Sequence, residues 1–451
     1  MKLYGKELSF SENGKRLTML SLALPKLFQE VFQKLLGTVN SAMLSNYSDA
    51  AVEAVSVSND VLLVVTTLLD ALAFGASILV SLSLGRKDRK TAGWITSVTL
   101  FSSLAVSLLV GCILTVTAEP ILRMMNAEAE TLMLSVSYFR IKALTLPITV
   151  IGATLTSLLI CNGHALFSFL IGVGRSILNL GGTYLVLYGG LGIPAVEGIA
   201  YASASVLLLG IFADIAVFTL KRCPFVFSFR RHVLWDVLRY GVPGKMSTFS
   251  YRFAHMVTTS FIVAIGGGIV STKVYIGNIT GYVSLFSSAI AAGGAILVGR
   301  FLGAKRMESV EGLYRKNLVL ATLLSLITAV LAFVFYRPLM GIFTERAEAI
   351  LLSRKVFFVD IFVQLFRAVN MVSDQSLNAC GHVKTTFTAS AVSCWACSVG
   401  LAYVFGVLLG WGLVGIWVSF ALDELFRAVF YLIYWKKRIR AQLTSFKAQA
   451  T

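Results

Sequence analysis

Charged residues are scarce in this sequence: Asp, Glu, Lys and Arg make up 14% of its 451 residues, against roughly 25% in soluble proteins. Proline (7 residues) and cysteine (6 residues) are also few, which excludes a collagen-like repeat and a disulfide-dense scaffold. Hydrophobic residues account for 57% of the chain, and the mean hydropathy is +0.81. A water-soluble fold could not bury this much apolar surface. Because lipid offers no partner to unpaired backbone groups, the long apolar runs predict an all-α membrane protein.

Signatures of enzymes are missing as well. The sequence has no G-x-x-x-x-G-K-[ST] phosphate-binding loop, no H-E-x-x-H pattern and no G-x-S-x-G nucleophile elbow. Its four histidines are dispersed along the chain. We therefore predict no catalytic residues, no metal site and no enzymatic activity. Without a nucleotide site, pumping must draw on an ion gradient or on the membrane potential, so no cofactor is expected beyond H⁺ or Na⁺ as the coupling ion.

Twelve apolar segments are separated by turn or charge signals. They cover residues 17–45, 50–84, 93–117, 130–160, 165–189, 196–220, 239–266, 270–301, 311–336, 347–378, 385–409 and 412–435. With the N-terminus inside, 21 Lys and Arg fall in inner segments and 4 in outer loops. Cytoplasmic loops of membrane proteins are enriched in these residues. The distribution predicts a multi-pass protein of the cell (inner or plasma) membrane with both termini cytoplasmic, and it explains the net charge of +17 without nucleic acid. The polar start of the chain predicts no signal peptide.

An internal repeat divides the chain into two halves. Residues 71–85 (ALAFGASILVSLSLG) match residues 289–303 (AIAAGGAILVGRFLG) at an offset of 218, and the same offset joins Pro25 to Pro243. Each half holds six predicted spans, so the halves have the same orientation, as in parallel-repeat transporters. We predict an N-terminal six-helix lobe, a basic and aromatic cytoplasmic linker at the inner headgroups, a C-terminal six-helix lobe and a basic cytoplasmic tail. Their limits are 1–220, 221–238, 239–436 and 437–451.

Polar residues recur at helical spacing inside several of the apolar segments. Such residues normally face protein or water, because a charge at the bilayer centre is costly. The faces comprise Glu30, Gln33, Lys34, Gly37, Thr38 and Ser41 in span 1; Ser56, Asp60, Thr67 and Asp70 in span 2; Lys142, Thr145, Thr149 and Thr156 in span 4; Lys245, Thr248, Arg252, His255 and Thr259 in span 7; and Asp360, Gln364, Arg367, Asn370, Asp374 and Asn378 in span 10. They predict a water-filled cavity that binds substrate or ions.

Alternative interpretations exist for individual residues. Glu30 and Lys34 form an i,i+4 pair that can neutralise itself as a structural clamp. His255 is either a satisfied interior histidine or a proton-linked group one turn from Arg252. The charged residues nearer the span ends are interpreted as snorkelling to the membrane surface; they are Lys142, Lys245, Asp423, Glu424 and Arg427.

Several segments together resemble the multidrug and toxic compound extrusion (MATE) family of secondary transporters. They are residues 43–60 (MLSNYSDAAVEAVSVSND), 75–92 (GASILVSLSLGRKDRKTA), 160–179 (ICNGHALFSFLIGVGRSILN), 192–206 (GIPAVEGIAYASASV), 241–253 (GVPGKMSTFSYRF), 291–306 (AAGGAILVGRFLGAKR) and 377–386 (LNACGHVKTT). The resemblance covers nearly the whole chain. It implies twelve transmembrane helices in a V-shaped pair of lobes, which open a central cavity to each side in turn and export organic molecules against entry of H⁺ or Na⁺.

The sequence departs from the family at the positions that the resemblance assigns to coupling. The coupling acid of the first span falls at Asn40, and the acid of span 7 falls at Tyr251. On span 5 the family's Asn is kept as Asn179, while the carboxylate four residues later is Thr183. The acid of span 10 falls near Arg367. Coupling would then use acids or a histidine elsewhere; the candidates are Glu30, Asp60, Asp70, Asp374 and His255.

Two functions from different classes fit these features. The first is a MATE-type exporter of drugs, toxins or metabolites; because the mid-span groups lean basic, its cargo is expected to be anionic or zwitterionic. The second is a lipid-linked oligosaccharide flippase of the same exporter superfamily, in which Arg and Lys would hold a pyrophosphate. A non-transporting scaffold or receptor is a third hypothesis. The expected partners are a small organic substrate and membrane lipids, not nucleic acid, and the protein is expected to be monomeric.

Overall fold

A computed structural model describes residues 9–12, 15–45, 49–124, 129–189, 192, 194–228, 230–265, 269–439 and 441 of the chain. The chain packs as two compact units, which we call the N-terminal unit (Phe28–Lys245) and the C-terminal unit (Met1–Leu27 with Met246–Thr451). Two helices contribute to both: α1 (Met19–Ser45) and α9 (Arg231–Ile265). The unit limits in these helices, after Leu27 and after Lys245, are again 218 residues apart. The domain limits drawn from the repeat stay a prediction.

Helices make up nearly all of the described structure. The N-terminal unit contains α2 (Asp49–Gly85), α3 (Arg89–Val116), α4 (Ala118–Met124), α5 (Ala129–Leu144), α6 (Leu146–Cys161), α7 (Ala165–Tyr188) and α8 (Ala195–Leu220). The C-terminal unit contains α10 (Ile269–Gly303), α11 (Met307–Val334), α12 (Tyr336–Gly341), α13 (Ala347–Ala379), α14 (Val383–Ser393) and α15 (Gly412–Tyr434). Three π-helical segments belong to it as well: Cys394–Leu401, Tyr403–Leu408 and Trp435–Ile439.

A short β-hairpin precedes the first helix, and the sequence analysis did not predict it. Strands β1 (Phe10–Glu12) and β2 (Lys15–Leu17) pair antiparallel, with Phe10 opposite Leu17. Phe10 is buried against Phe301 of α10, with the ring centroids 6.1 Å apart, and the Arg300 guanidinium lies over the Phe10 ring. These contacts attach the start of the chain to the C-terminal unit.

Each of the twelve predicted segments coincides with one helix or with consecutive helices. Within the described part of the chain, seven helices are long and apolar enough to cross a membrane, and α5 with α6 makes an eighth if this bent pair is one span. The two halves of that pair meet at 50°, because the chain breaks at Thr145, two residues before Pro147 of α6. The remaining predicted segments are α1, α9, α13 and α15. They are the helices in which polar side chains interrupt the apolar sequence.

Two glycines bring α2 and α9 into close backbone contact within the N-terminal unit. A Cβ atom added to Gly241 would lie 1.9 Å from the Ala71 carbonyl oxygen, and one added to Gly75 would lie 2.1 Å from that of Val237. Small residues allow helix backbones to approach closely in membrane proteins. The first turns of α9 are therefore fixed on α2 by backbone packing.

We expect Gly241→Ala to destabilise the N-terminal unit. Overpacking costs about 1–3 kcal/mol, which exceeds the roughly 1 kcal/mol gained when alanine replaces glycine in a helix. Gly181 of α7 provides the control, since no atom lies within 4 Å of its added Cβ. Thermal unfolding in detergent should show a lower midpoint for Gly241→Ala and an equal or higher one for Gly181→Ala. Equal midpoints for both variants would contradict the close packing.

Candidate functional site

A cavity of about 460 Å³ lies inside the C-terminal unit. Its walls come from α9, α10, α13 and α15, with single residues from α1 and α14. The polar lining comprises Lys26, Ser247, Thr248, Tyr251, Ser284, Ser288, Arg367, Asn370, Asp374, Gln375, Ser390, Glu424, Arg427 and Tyr431. Charged side chains of both signs therefore face one cavity within the membrane-spanning bundle.

Arg367 of α13 is held by groups from two other helices. Its Nε donates to Glu424 Oε1 of α15 at 2.9 Å, and its Nη2 donates to the Tyr251 hydroxyl of α9 at 3.0 Å. Asn370 Nδ2, one turn further along α13, donates to Glu424 Oε2 at 2.6 Å and to the Glu424 carbonyl oxygen at 2.8 Å. Both carboxylate oxygens of Glu424 thus have donors, so this carboxylate is ion-paired and oriented.

Arg427 extends this arrangement along α15. Its Nη2 lies 2.7 Å from Asp423 Oδ2 and 3.0 Å from Glu424 Oε2. Ser393 Oγ donates to the other oxygen of Asp423 at 2.5 Å. We call Arg367, Asp423, Glu424 and Arg427 the charged network. It contains two cations and two carboxylates, so its net charge is zero.

Asp374 is the cavity carboxylate outside the charged network. The Asn378 Nδ2 atom donates to its Oδ2 at 3.0 Å, and Asn378 is fixed in turn because its Oδ1 accepts the Thr386 hydroxyl at 2.6 Å. Among the described residues, no Lys or Arg nitrogen lies within 4.0 Å of the Asp374 carboxylate. Asp374 is half-buried on the cavity wall. A carboxylate in this position can gain or lose a cation without breaking an ion pair.

Two other residues of the predicted polar faces in the C-terminal unit make packing and hydrogen-bond contacts away from the cavity. Asp360 is buried beside Gln364 Nε2 (3.2 Å) and Trp417 Nε1 (3.1 Å) and does not line the cavity. The His255 ring lies between Tyr251 and Phe420, at centroid distances of 4.2 Å and 4.5 Å. Asp360 thus packs as a hydrogen-bonded core group, and His255 as part of an aromatic stack.

The polar face predicted for α9 is displaced from the face that lines the cavity. Ser247, Thr248 and Tyr251 line it, whereas Arg252 is exposed and is not on the cavity wall. Neighbouring residues of a helix point about 100° apart, and the edge of the cavity wall falls between Tyr251 and Arg252. Arg252 is therefore not among the residues that line this cavity, and its binding role stays a prediction.

The predicted residues of the N-terminal unit are more scattered. Asp70 Oδ2 lies 3.5 Å from Lys245 Nζ. Glu30 and Lys34 of α1 and Asn179 of α7 are half-buried. The side chains of Asn40 and Asp60 lie outside the described part of the structure. Thr183 is fully buried, so it lines no open surface. Within the described residues, no group of three or more His, Cys, Asp or Glu side chains is arranged to hold a metal ion.

The snorkelling interpretation of α15 is wrong. Asp423, Glu424 and Arg427 are only 0%, 2% and 8% exposed, because they pair with each other and with Arg367 inside the bundle. Their position was the available signal: they lie near the middle of the segment predicted at 412–435, where a side chain cannot reach the membrane surface. Of the other two residues, Lys142 donates to Ser203 Oγ at 2.7 Å and Lys245 pairs with Asp70.

Comparison with known proteins assigns the class. A family model described as MatE matches residues 25–185 and 243–404, two stretches that begin 218 residues apart. The chain is 29% identical over 438 residues to the uncharacterized transporter YisQ of Bacillus subtilis, covering 95% of this chain and 96% of YisQ. It is 23% identical over 442 residues to the probable multidrug resistance protein NorM of Thermotoga maritima, covering 94% of each.

Solved structures share the fold. The structure matches the outward-facing conformation of a multidrug resistance MATE family transporter of the MOP superfamily with a TM-score of 0.85 and 21% identity, covering 95% of this chain and 96% of that one.

The chain belongs to the MatE family of multidrug and toxic compound extrusion transporters. The prediction of an all-α membrane protein with twelve transmembrane helices in two six-helix bundles is confirmed. The prediction of a transporter rather than an enzyme is also confirmed. Members of this family are multi-pass membrane proteins that use ion gradients and no cofactor.

Proposed function

We propose that this protein exports a small organic molecule by H⁺ antiport and that Asp374 is the carboxylate that takes up and releases the proton. The observation that carries the proposal is the contrast between the two acids on the cavity wall. Glu424 is held by two arginines and an amide, whereas the Asp374 carboxylate accepts a hydrogen bond from the Asn378 amide and, among the described residues, has no Lys or Arg nitrogen within 4.0 Å. Protonation of Asp374 breaks no ion pair, so a modest change in surroundings can drive it. Glu30, Lys34, Asn40, Asp60, Asp70 and Asn179 stay predictions for the N-terminal unit.

The donors around Asp374 favour H⁺ over Na⁺ as the coupling ion. Hard cations such as Ca²⁺ take several oxygen ligands, and Na⁺ has the same preference for oxygen. The group that contacts Asp374 is an N–H donor, and the Asn378 oxygen is already used by Thr386. The N–H donor stabilises the charged carboxylate, and these two described groups supply no cage of oxygens for Na⁺.

The charge balance of the cavity supports a zwitterionic substrate. The wall carries the cations Lys26, Arg367 and Arg427 and the acids Asp374 and Glu424. Asp423, which is not on the wall, pairs with Arg427, so the described cations and carboxylates of this region are equal in number. A molecule with one positive and one negative group can exchange contacts with paired side chains while leaving the total charge balanced. Tyr251, Met371 and Tyr431 supply apolar wall area beside them.

The flippase hypothesis requires cations that are available to a pyrophosphate group. Arg367 and Arg427 already have carboxylate partners at 2.9 Å and 2.7 Å. Removing those partners would leave buried carboxylates unpaired, which is costly. The exporter is therefore the function we propose, acting as a monomer in the cell membrane with both termini cytoplasmic.

Transport into proteoliposomes tests both the coupling ion and the substrate class. We expect an imposed pH gradient to drive accumulation and a Na⁺ gradient of the same size to have no effect. Zwitterionic fluorescent substrates should accumulate more than matched anionic or cationic ones. Accumulation driven by Na⁺ at constant pH would contradict H⁺ coupling, and a preference for lipophilic cations would contradict the proposed substrate class.

A further inference from the structure

The segment between α8 and α9 is fixed across the start of α3 by hydrogen bonds to its backbone. Within the N-terminal unit, Val226 N–H donates to the Gly93 carbonyl oxygen at 3.3 Å, and Ser97 Oγ donates to the Val226 carbonyl oxygen at 2.7 Å. Arg89 Nη2 donates to the Arg222 carbonyl oxygen at 2.6 Å. A Cβ added to Gly93 would lie 2.8 Å from Val226 Cγ2, so the two segments touch closely. This part of the linker therefore has a defined position against α3.

Basic residues are concentrated in the two segments that make this contact. Residues 86–94 and 221–236 contain eight Lys or Arg and two acids; we call these eight cations the basic patch. They are Arg86, Lys87, Arg89, Lys90, Lys221, Arg222, Arg230 and Arg231. The Arg230 guanidinium lies 3.5 Å from the Trp94 ring centroid, and Lys90 Nζ lies 5.4 Å from the same ring.

The patch has little negative charge of its own. Asp88 is engaged as the N-cap of α3, accepting Thr91 N–H at 2.9 Å. Its hydrogen bonds with Thr91 lower the pKa of Asp88. In the described structure, no carboxylate lies within 4.0 Å of any of the eight cations. Lys90 and Arg230 both lie over the Trp94 ring. Their like charges repel each other unless an anion lies between them.

Two cations of the patch have an unfavourable backbone conformation. Lys87 has φ 61° and Arg222 has φ 48°, in the left-handed region where glycine is favoured. A glycine would form both turns more easily, so each of these charges can be removed by a glycine substitution without adding backbone strain.

We propose that the basic patch binds the phosphate headgroup of an anionic phospholipid. The charge is complementary, and the location supports a lipid in particular: α2 and α3, which flank Lys87, are membrane-spanning by length and hydropathy. Phe227 and Trp235 are 81% and 70% exposed beside the patch. Exposed aromatic residues next to basic ones are typical of the membrane interface, where the rings contact acyl chains. A soluble anion would leave these rings in water.

Glycine substitutions separate lipid binding from folding. Lys87→Gly and Arg222→Gly remove a charge and relieve strain at once, so the thermal midpoint in detergent should stay equal or rise. Each variant should bind phosphatidylglycerol roughly fivefold more weakly, measured by native mass spectrometry with phosphatidylglycerol added in competition with phosphatidylcholine. Lys305→Gly is the matched control, because Lys305 has the same type of turn (φ 57°) outside the patch; its binding should be unchanged.

Three outcomes would overturn the proposal. Equal losses in all three variants would mean that overall surface charge, not the patch, attracts the lipid. A lowered midpoint in Lys87→Gly or Arg222→Gly would mean that these side chains serve the fold. Displacement of phosphatidylglycerol by an equimolar amount of inorganic phosphate would mean that the site takes a soluble anion. None of these measurements depends on transport, so the inference stands or falls independently of H⁺ antiport.

Discussion

Arg427→Met is expected to lower the free energy of unfolding by about 3–5 kcal/mol, because it leaves a buried carboxylate without its partner. Asp423 is fully buried and would keep only the Ser393 hydroxyl. Glu424 would keep Arg367 and Asn370. The loss should be measured by denaturant unfolding in detergent, followed by tryptophan fluorescence.

Two further variants test whether charge burial is the cause. Arg315→Met removes a surface arginine with the same geometry, since Arg315 lies 2.7 Å from Glu311 four residues away but is 59% exposed. Exposed pairs contribute about 0–1 kcal/mol, so this control should unfold nearly as the native protein does. Asp423→Leu combined with Arg427→Met removes both charges and should recover much of the stability. If the double variant is no more stable than Arg427→Met, shape rather than charge explains the loss.

The sequence predicted the helices well because the bilayer leaves few choices. A segment of about 20 apolar residues must satisfy its backbone internally, and a helix is the way to do so. Interruptions within segments were harder to predict. The segment 130–160 is divided at Thr145, although Pro147 was a visible signal. The π-helical stretch from Cys394 to Leu408 has no sequence signal that we recognise.

The candidate site was predictable only where polar residues keep helical spacing. Arg367, Asn370 and Asp374 of α13 were placed on one face, and the structure brings all three to the cavity wall. On α9, Tyr251 is aromatic and partly apolar. An interpretation based on polar residues at helical spacing therefore omits Tyr251 and selects Arg252. The partners of Arg367 are Glu424 of α15, 57 residues further along the chain, and Tyr251 of α9, 116 residues earlier. Such contacts depend on how the helices pack, which periodicity within one helix does not specify.

A buried pair in the N-terminal unit shows the same difficulty. Arg175 of α7 and Asp214 of α8 form an ion pair, and Thr156 of α6 lies 3.4 Å from the same carboxylate oxygen. A Cβ added to Gly210 would overlap the Arg175 side chain, so glycine makes room for the guanidinium. Neither charged residue was among the sequence-based candidates, because each is isolated on its own helix.

Asp374→Asn should abolish accumulation driven by a pH gradient while leaving gradient-free exchange of substrate intact. The amide of the variant cannot take up a proton, but it has nearly the same size as the carboxyl group. Its oxygen can still accept the hydrogen bond from Asn378 Nδ2. With one proton per substrate, a gradient of one pH unit supports roughly tenfold accumulation, which the variant should reduce to none. Asp374→Glu keeps a carboxylate and should retain accumulation.

The control for this substitution is Asp360, a buried acid of the same helix. Asp360→Asn removes a carboxylate that does not line the cavity, and it should leave accumulation near the native level where the variant folds. Exchange measured in the same vesicles reports on folding for each protein. Loss of exchange together with accumulation in Asp374→Asn would assign Asp374 to substrate binding. Full accumulation in Asp374→Asn would place the coupling group elsewhere, and the acids of the N-terminal unit would be the next to test.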